Sequence, residues 1–225
     1  MCTRQACRVT AKDTYSGYHD RAKALHGSHA GGEQTAQFHL AYGQQSMRNI
    51  HETMVNADPL VIDGIAERLR HARRVFVNAQ MGQRHIGSYA SYVASLAFDN
   101  WEAIGIEPSG VASQVRKLGA EDVMICLSLR PYATQTLALA KAGVTASTYI
   151  IAITDSPHSP LAMLADEVLL GATANQHFFP SQLGALYLFE TIIGLMVAKS
   201  GNTVQDNLRK IESFSINHGE YDEWR

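Results

Sequence analysis

The chain has 225 residues, a formal net charge of −2, 46% hydrophobic residues and 18% charged residues. This composition excludes a disordered chain, a collagen-like repeat and a disulfide-rich secreted module. The near-neutral charge disfavours a general nucleic-acid binder, because neutralising phosphates takes clustered lysines and arginines. The length suits one large domain, or one domain with an appendage, around a substantial core.

Neither a secretion signal nor a membrane span is predicted. The N-terminus lacks the apolar stretch of a signal peptide, and the longest apolar run, Leu183–Ala198, carries Glu190 and is short for a span. The cysteines at positions 2, 7 and 126 show no metal-ligand spacing and are typical of reduced thiols. We therefore expect a cytoplasmic protein that has no metal, cofactor or membrane partner.

Residues 1–32 differ from the rest of the chain. They hold five lysines and arginines against two acidic residues and few large aliphatic side chains, and they end in a linker-like His-Gly-Ser stretch over 26–32. Such a segment cannot bury a core of its own. It is either a flexible arm or what remains of a larger unit.

Two helices are predicted next. Over residues 33–57, Leu40, Met47, Ile50 and Met54 recur at roughly helical spacing. Asp58-Pro59 then supplies an N-cap and a first-turn proline that open a second helix. The apolar stripe of this second helix consists of Val61, Ile65 and Leu69.

Short apolar runs then alternate with helical segments. Strands are predicted over 75–77, 101–106, 123–127, 148–153 and 167–170, and helices over 86–98 and 134–141 and in a short stretch after Pro160. Such alternation predicts an α/β fold, with a five-stranded, parallel, doubly wound sheet covered on both faces.

Two helices close the chain. The first is capped by Ser181, ends near Gly201 and is apolar all round, so it must be buried in the core or against another subunit. The second has Val204, Leu208 and Ile211 in register.

Ligands of open parallel α/β sheets bind outside the carboxyl ends of the strands. The turns at that edge cover residues 80–85, 128–134, 154–160 and 175–181, and they are rich in small hydroxyls, amides and arginines. Together with helix N-termini, these groups suit an anionic or polyhydroxylated ligand. Alternatively, the hydroxyls only cap helices, which applies to Ser128, Thr134, Ser159 and Ser181.

Two of these turns carry a resemblance to a known family. The run Ile151-Ala-Ile-Thr-Asp-Ser-Pro-His-Ser-Pro-Leu-Ala-Met-Leu-Ala-Asp-Glu-Val-Leu169 resembles the core signature of the sugar isomerase (SIS) domain. More narrowly, it resembles the SIS domain of RpiR-type bacterial transcriptional regulators. Residues 121–134, which contain Ser128-Leu-Arg-Pro-Tyr-Ala-Thr134, are similar to a variant turn of those regulators. The resemblance covers about residues 58–200.

The resemblance also offers an explanation of the N-terminus, because RpiR-type regulators carry a helix-turn-helix domain before the SIS domain. Residues 15–18 and 21–25 are similar to the sequence just after the recognition helix, and residues 5–12 would be the tail of that helix. Most of the DNA-binding domain is then missing, and DNA would be reached only through the missing part. The alternative is an unrelated flexible arm.

The chain departs from the family at the phosphate-binding turns. SIS domains that bind sugar phosphates have a Ser-x-Ser-Gly-x-Ser/Thr turn after the third strand. This chain keeps Ser128 but has Arg130, Pro131 and Ala133 at the following motif positions, and Gln83 replaces a phosphate-contacting serine after the first strand. Arginine can pair bidentately with phosphate or carboxylate, so anion binding survives with a different geometry.

Isomerase activity is not expected. Aldose–ketose isomerisation needs a positioned base and usually an acid, and SIS isomerases tend to supply them between the second and third strands. Residues 108–120 contain no Asp, Glu or His. His85, His158 and His177 lie in site turns but show no metal-ligand spacing.

The sequence thus predicts a remnant of a helix-turn-helix domain with its linker over 1–32, a leading helix over 33–57 and an SIS effector-binding domain over 58–225. The predicted ligand is a phosphosugar or sugar acid, contacted by Ser128, Arg130 and Thr134 with Gln83, Arg84 and Ser156 around it. We expect a homodimer or a dimer of dimers, because apolar helix faces exposed on a monomer favour aggregation. Open alternatives are a sugar-phosphate isomerase and a ligand-free oligomerisation module, and direct DNA binding by this chain is the least favoured.

Overall fold

The computed structural model describes residues 17–26, 32–105 and 110–220. A five-stranded sheet forms the centre, in the order β2-β1-β3-β4-β5, and every neighbouring pair of strands is parallel. The strands are β1 Val75–Ala79, β2 Trp101–Ala103, β3 Val123–Leu127, β4 Tyr149–Thr154 and β5 Glu167–Leu170.

Helices precede the sheet, connect its strands and close the chain. They are α1 Tyr18–His26, α2 Gly32–Asn56, α3 Pro59–His71, α4 Arg84–Ser95, α5 Val111–Val115, α6 Thr134–Thr145, α7 Leu183–Ala198 and α8 Asn202–His218. Asp58 caps α3, because its side chain accepts the N–H of Leu60 at 2.8 Å. This cap and the proline after it confirm the predicted start of that helix.

The core lies on both faces of the sheet, because side chains of successive strand residues point to opposite faces. Val77, Ile125 and Ile151 pack on the side of α3, α4 and α7, whereas Phe76 and Met124 pack on the side of α5 and α6. The predicted doubly wound α/β architecture is therefore confirmed. Burial on the second face also raises the pKa of the Cys126 thiol to about 12.

The predicted elements differ from the structure mainly at their ends. β3 and β5 have the predicted bounds, while β1 runs two residues further, to Ala79, and β4 is shifted by one residue. Helices α1 and α5 were not predicted, because they are short and carry no clear apolar period. The segment expected to be the tail of a recognition helix, residues 5–12, lies outside the described residues.

The predicted cap of α7 is wrong by one position. The residue at the cap is Gln182, and the Ser181 hydroxyl lies one residue earlier, at 3.4 Å from the Leu183 nitrogen. The expectation that α7 buries against another subunit is also wrong for its main face. Leu188, Phe189 and Ile192 are fully buried in the chain's own core, because α7 packs against α2, α3 and α4.

The leading helix α2 faces the domain with polar residues. Asn49 donates to the Ala174 carbonyl at 2.7 Å, and the Thr53 hydroxyl accepts the Ala172 N–H at 3.0 Å. Its predicted apolar stripe points away from the domain, and Leu40 and Met47 are 63% and 65% exposed. This face is therefore left without a partner among the described residues of the chain.

The described residues contain no single helix that is long and apolar enough to span a membrane. Helices α7 and α8 meet that criterion only when taken together, as a pair bent by 111°.

Candidate functional site

The three turns that follow β1, β3 and β4 lie side by side at the carboxyl edge of the sheet, because these strands are neighbours and parallel. All six predicted site residues belong to these turns: Gln83, Arg84, Ser128, Arg130, Thr134 and Ser156. The structure thus brings them to one edge, as the rule for open α/β sheets predicts.

The turn after β1 is a short 3-10 helix, Met81–Gln83, that leads directly into α4. Gln83 is only 3% exposed. Arg84 is half-buried and donates from its guanidinium to the Gln80 side-chain oxygen at 3.3 Å. Within the described part of the chain no side chain caps α4, so its first N–H groups remain available to an anion.

The turn after β3 is held from inside. The Ser128 side chain is fully buried, and its hydroxyl accepts the N–H of Ala133 at 3.1 Å. Thr134 is exposed and is the first residue of α6, and among the described side chains none caps this helix. Of the two hydroxyls, Ser128 therefore stabilises the turn, as the capping alternative expected, whereas Thr134 does not cap α6.

The turns after β3 and β4 are joined by hydrogen bonds. The Thr154 hydroxyl donates to the Ser128 carbonyl at 2.9 Å and lies 3.0 Å from the Ser159 hydroxyl. Ser159 also accepts the Ala162 N–H, and Ser156 accepts the His158 N–H. These bonds fix the two turns relative to each other, so the edge is preorganised.

Two residues beside Arg130 were not among the sequence-based candidates. Tyr132 has a buried hydroxyl that makes no hydrogen bond of normal geometry within the described residues. Burial raises the pKa of Tyr132, the nearby charge of Asp155 adds to this shift, and Arg130 opposes it. Tyr132 lies inside the predicted turn, but nothing in a lone tyrosine of a loop shows that its hydroxyl will be buried beside two charges.

The turn after β1 is covered by the loop between β5 and α7. Gln182 donates to the Gly82 carbonyl at 3.1 Å, and a Cβ added to Gly82 would lie 2.5 Å from Cζ of Phe179. The sequence predicted that this loop belongs to the site edge, but not that a phenyl ring rests on the glycine. Only glycine permits this close approach.

The three histidines in the site turns have no catalytic arrangement. His85 and His158 are exposed, and Nδ1 of His177 accepts the N–H of Phe179 at 3.2 Å. Among the described residues no group of three or more His, Cys, Asp or Glu side chains could hold a metal ion. The described edge therefore presents arginines and free helix N-termini, which can bind an anion by charge and hydrogen bonding.

A doubly wound α/β domain with an anion-binding edge at its strand ends is the class that the fold and the site define. The family model of the SIS domain matches residues 68–192, more than half of the chain. The chain therefore belongs to the SIS domain family.

Solved structures of similar fold include regulators and a sugar-binding protein. The sugar isomerase domain of an RpiR transcription factor from Sphaerobacter thermophilus has a TM-score of 0.74 and 20% identity, with 79% of this chain and 99% of that chain covered. The Vibrio vulnificus NanR protein, complexed with ManNAc-6P, has a TM-score of 0.68 and 18% identity, with coverage of 88% and 74%. An Escherichia coli CFT073 protein in complex with arabinose 5-phosphate has a TM-score of 0.62 and 13% identity, with coverage of 75% and 93%. No curated protein matches the chain.

Proposed function

We propose that this chain is the effector-sensing SIS domain of an RpiR-like transcriptional regulator, which binds a small anionic carbohydrate derivative at the carboxyl edge of the sheet. The observation that carries the proposal is the pair of helix N-termini, α4 and α6, that begin without a side-chain cap among the described residues. Arg84 and Arg130 stand beside them. Uncapped N–H groups and guanidinium groups at one edge match an anion such as a phosphate or carboxylate.

Each predicted site residue has a place in this proposal. Arg130 and Thr134 contact the anion beside the N-terminus of α6, and Ser128 holds their turn through its bond to Ala133. Gln83, Arg84 and Ser156 surround the ligand from the turns after β1 and β4.

The ligand class is supported by the relatives of this fold. NanR was solved with ManNAc-6P, and the Escherichia coli protein was solved with arabinose 5-phosphate. Both ligands are sugar phosphates, and both proteins share the parallel sheet that places this edge. Phosphosugars are therefore the first compounds to test, followed by sugar acids.

A thermal-shift screen of the 225-residue chain against ManNAc-6P, arabinose 5-phosphate and gluconate tests the proposal. A ligand present at about 100 times its dissociation constant stabilises the folded state by about 2.7 kcal/mol, which raises the melting temperature by a few degrees. We expect a shift with at least one phosphosugar or sugar acid and none with the parent neutral sugars. A folded oligomer that shows no shift with any of these compounds would instead favour a ligand-free oligomerisation module.

The alternative function is a sugar-phosphate isomerase. The one buried polar side chain described between β2 and β3, before Asp122, is Gln114, whose amide accepts the Gly105 N–H at 2.8 Å and donates to Glu102 at 2.8 Å. An amide held in this way cannot serve as the base that moves a proton between carbons. Turnover of a sugar phosphate that is lost in His85→Ala or Glu107→Gln would favour the enzyme.

The proposed sensor is a homodimer or a dimer of dimers, and α2 supplies the contact between copies. Leu40, Met47 and Met54 follow one another at seven-residue intervals on α2, and all three are exposed. Such a row makes a seam that a second copy of the helix can cover. Ligand binding then changes the packing of the copies and the spacing of the DNA-reading domains.

Replacing both Met47 and Met54 with aspartate should shift the protein to the monomer, because pairing would bury the new charges without partners. Size-exclusion chromatography with light scattering measures the mass. Val144→Asp is the control, because Val144 is an exposed apolar residue on α6, away from this row. An unchanged mass of the double variant would show that α2 does not form the interface.

A further inference from the structure

We propose that Phe179 connects the turn after β1 to helix α1, so that the state of the ligand site controls how firmly α1 is held. The inference rests on the proposed function, because that turn contains Gln83 and Arg84 of the site. It adds a route by which the site influences the segment that precedes the SIS domain. That route consists of three side-by-side groups: Gly82, Phe179 and Tyr18.

Phe179 touches both ends of the route. Its ring lies against Gly82, where even a methyl group at the Cβ position would come within 2.5 Å of Cζ. The same ring stacks on Tyr18 of α1 with a centroid distance of 5.5 Å and an interplanar angle of 26°. Phe178 adds an edge-on contact to Tyr18 at 6.3 Å. A displacement of the Phe179 ring therefore disturbs the turn and the helix together.

The backbone around Phe179 is fixed by several hydrogen bonds. Asn175 donates to the Phe179 carbonyl at 3.0 Å, and the Phe179 N–H is accepted by His177 at 3.2 Å. Gln182 bonds to the Gly82 carbonyl from the other end of the loop. Because the backbone is held, movement at the turn is transmitted to the phenyl ring.

Helix α1 is held weakly, as a switchable element must be. None of its nine residues is buried in the described structure. A cavity of about 710 Å³ separates part of α1 from α2 and the loop that follows β5, and Arg21, Ala24 and Leu25 line it on the α1 side. Aromatic pairs contribute about 0.5–1.5 kcal/mol each, so the contacts to Tyr18 are a large share of what holds α1. Weakly held segments open locally at little cost.

The test inserts a methyl group at the turn in the absence of any ligand. In Gly82→Ala the new Cβ displaces the Phe179 ring, since the atom it meets is the far end of that side chain. We expect amide hydrogen exchange over residues 18–26 to accelerate by about three- to tenfold. Phe179→Ala should accelerate it to a similar extent, and the double variant should add little to either single change.

Gly64→Ala is the matched control, because a Cβ at Gly64 meets nothing within 4 Å. It should leave the exchange of α1 unchanged. Unchanged exchange of α1 in both Gly82→Ala and Phe179→Ala overturns the inference. Exchange that accelerates equally across the whole chain also overturns it, because the effect is then global destabilisation.

Excess inorganic phosphate separates this inference from the proposed function. Phosphate that binds at Arg130 and changes the exchange of α1 in the wild type but not in Phe179→Ala supports both. Phosphate that binds without any change in α1 overturns the inference and leaves the proposed function intact. If no phosphate or sugar phosphate binds while both variants still release α1, the proposed function fails and the connection stands.

Discussion

Replacing Arg130 with alanine is expected to weaken binding of the anionic effector by about ten- to a hundredfold. A hydrogen bond to a charged group contributes about 1.5–3 kcal/mol, and a guanidinium can bond two oxygens of a phosphate or carboxylate at once. Arg130 is half-buried at the end of β3, four residues before α6 begins at Thr134. Its loss leaves the N–H groups of the helix but removes the fork that replaces the usual serine.

Isothermal titration with whichever compound scores in the thermal-shift screen measures this loss. Arg130→Lys should bind with intermediate affinity, because it keeps the charge but not the bidentate geometry. Arg209→Ala removes the same charge from the exposed face of α8, where Arg209 pairs with Asp206, and should bind as the wild type does. Unchanged affinity in Arg130→Ala would place the anion away from the β3 turn.

Phe189→Ala is expected to lower the free energy of unfolding by about 3–5 kcal/mol, the range for removing a buried phenyl ring. Phe189 is fully buried on α7. It belongs to the core that joins α7 to α3, α4 and the sheet. The cost combines the lost transfer of the ring out of water with the cavity that remains.

Urea unfolding followed by circular dichroism measures this change, at a protein concentration where the oligomeric state is the same for all variants. Phe214→Ala is the matched control, because Phe214 on α8 is 56% exposed, and it should cost less than about 1 kcal/mol. A loss below about 1 kcal/mol in Phe189→Ala would mean that α7 does not pack on its own sheet.

Much of the fold could be predicted because the buried strands are short, apolar and separated by helical segments. β3 and β5 were predicted with the observed bounds, since a strand covered on both faces stands out as a continuous apolar run. Helix α5 was missed because five residues are too few to show a helical period. Ser181 was expected to cap α7, but the helix begins one position later, with Gln182 as its cap residue.

The edge that carries the candidate site could also be predicted, but not the state of its side chains. Parallel strands place their turns at one edge, so Gln83, Ser128 and Ser156 could be assigned to it without coordinates. That the Ser128 hydroxyl is turned inward to Ala133 depends on the path of the turn. Phe179 covers Gly82 from almost a hundred positions further along the chain, and no local pattern reports such a contact.

The sequence by itself determined the class of fold, the family resemblance and the edge where chemistry can occur. These follow from local periodicity and from a topological rule that holds for every open parallel sheet. Only the tertiary structure decided that α7 belongs to the chain's own core, that the apolar row of α2 faces outward, and that Tyr18 rests on Phe179. Periodicity shows that a helix has an apolar face, but what covers that face depends on elements distant in the sequence, and their positions are set by packing.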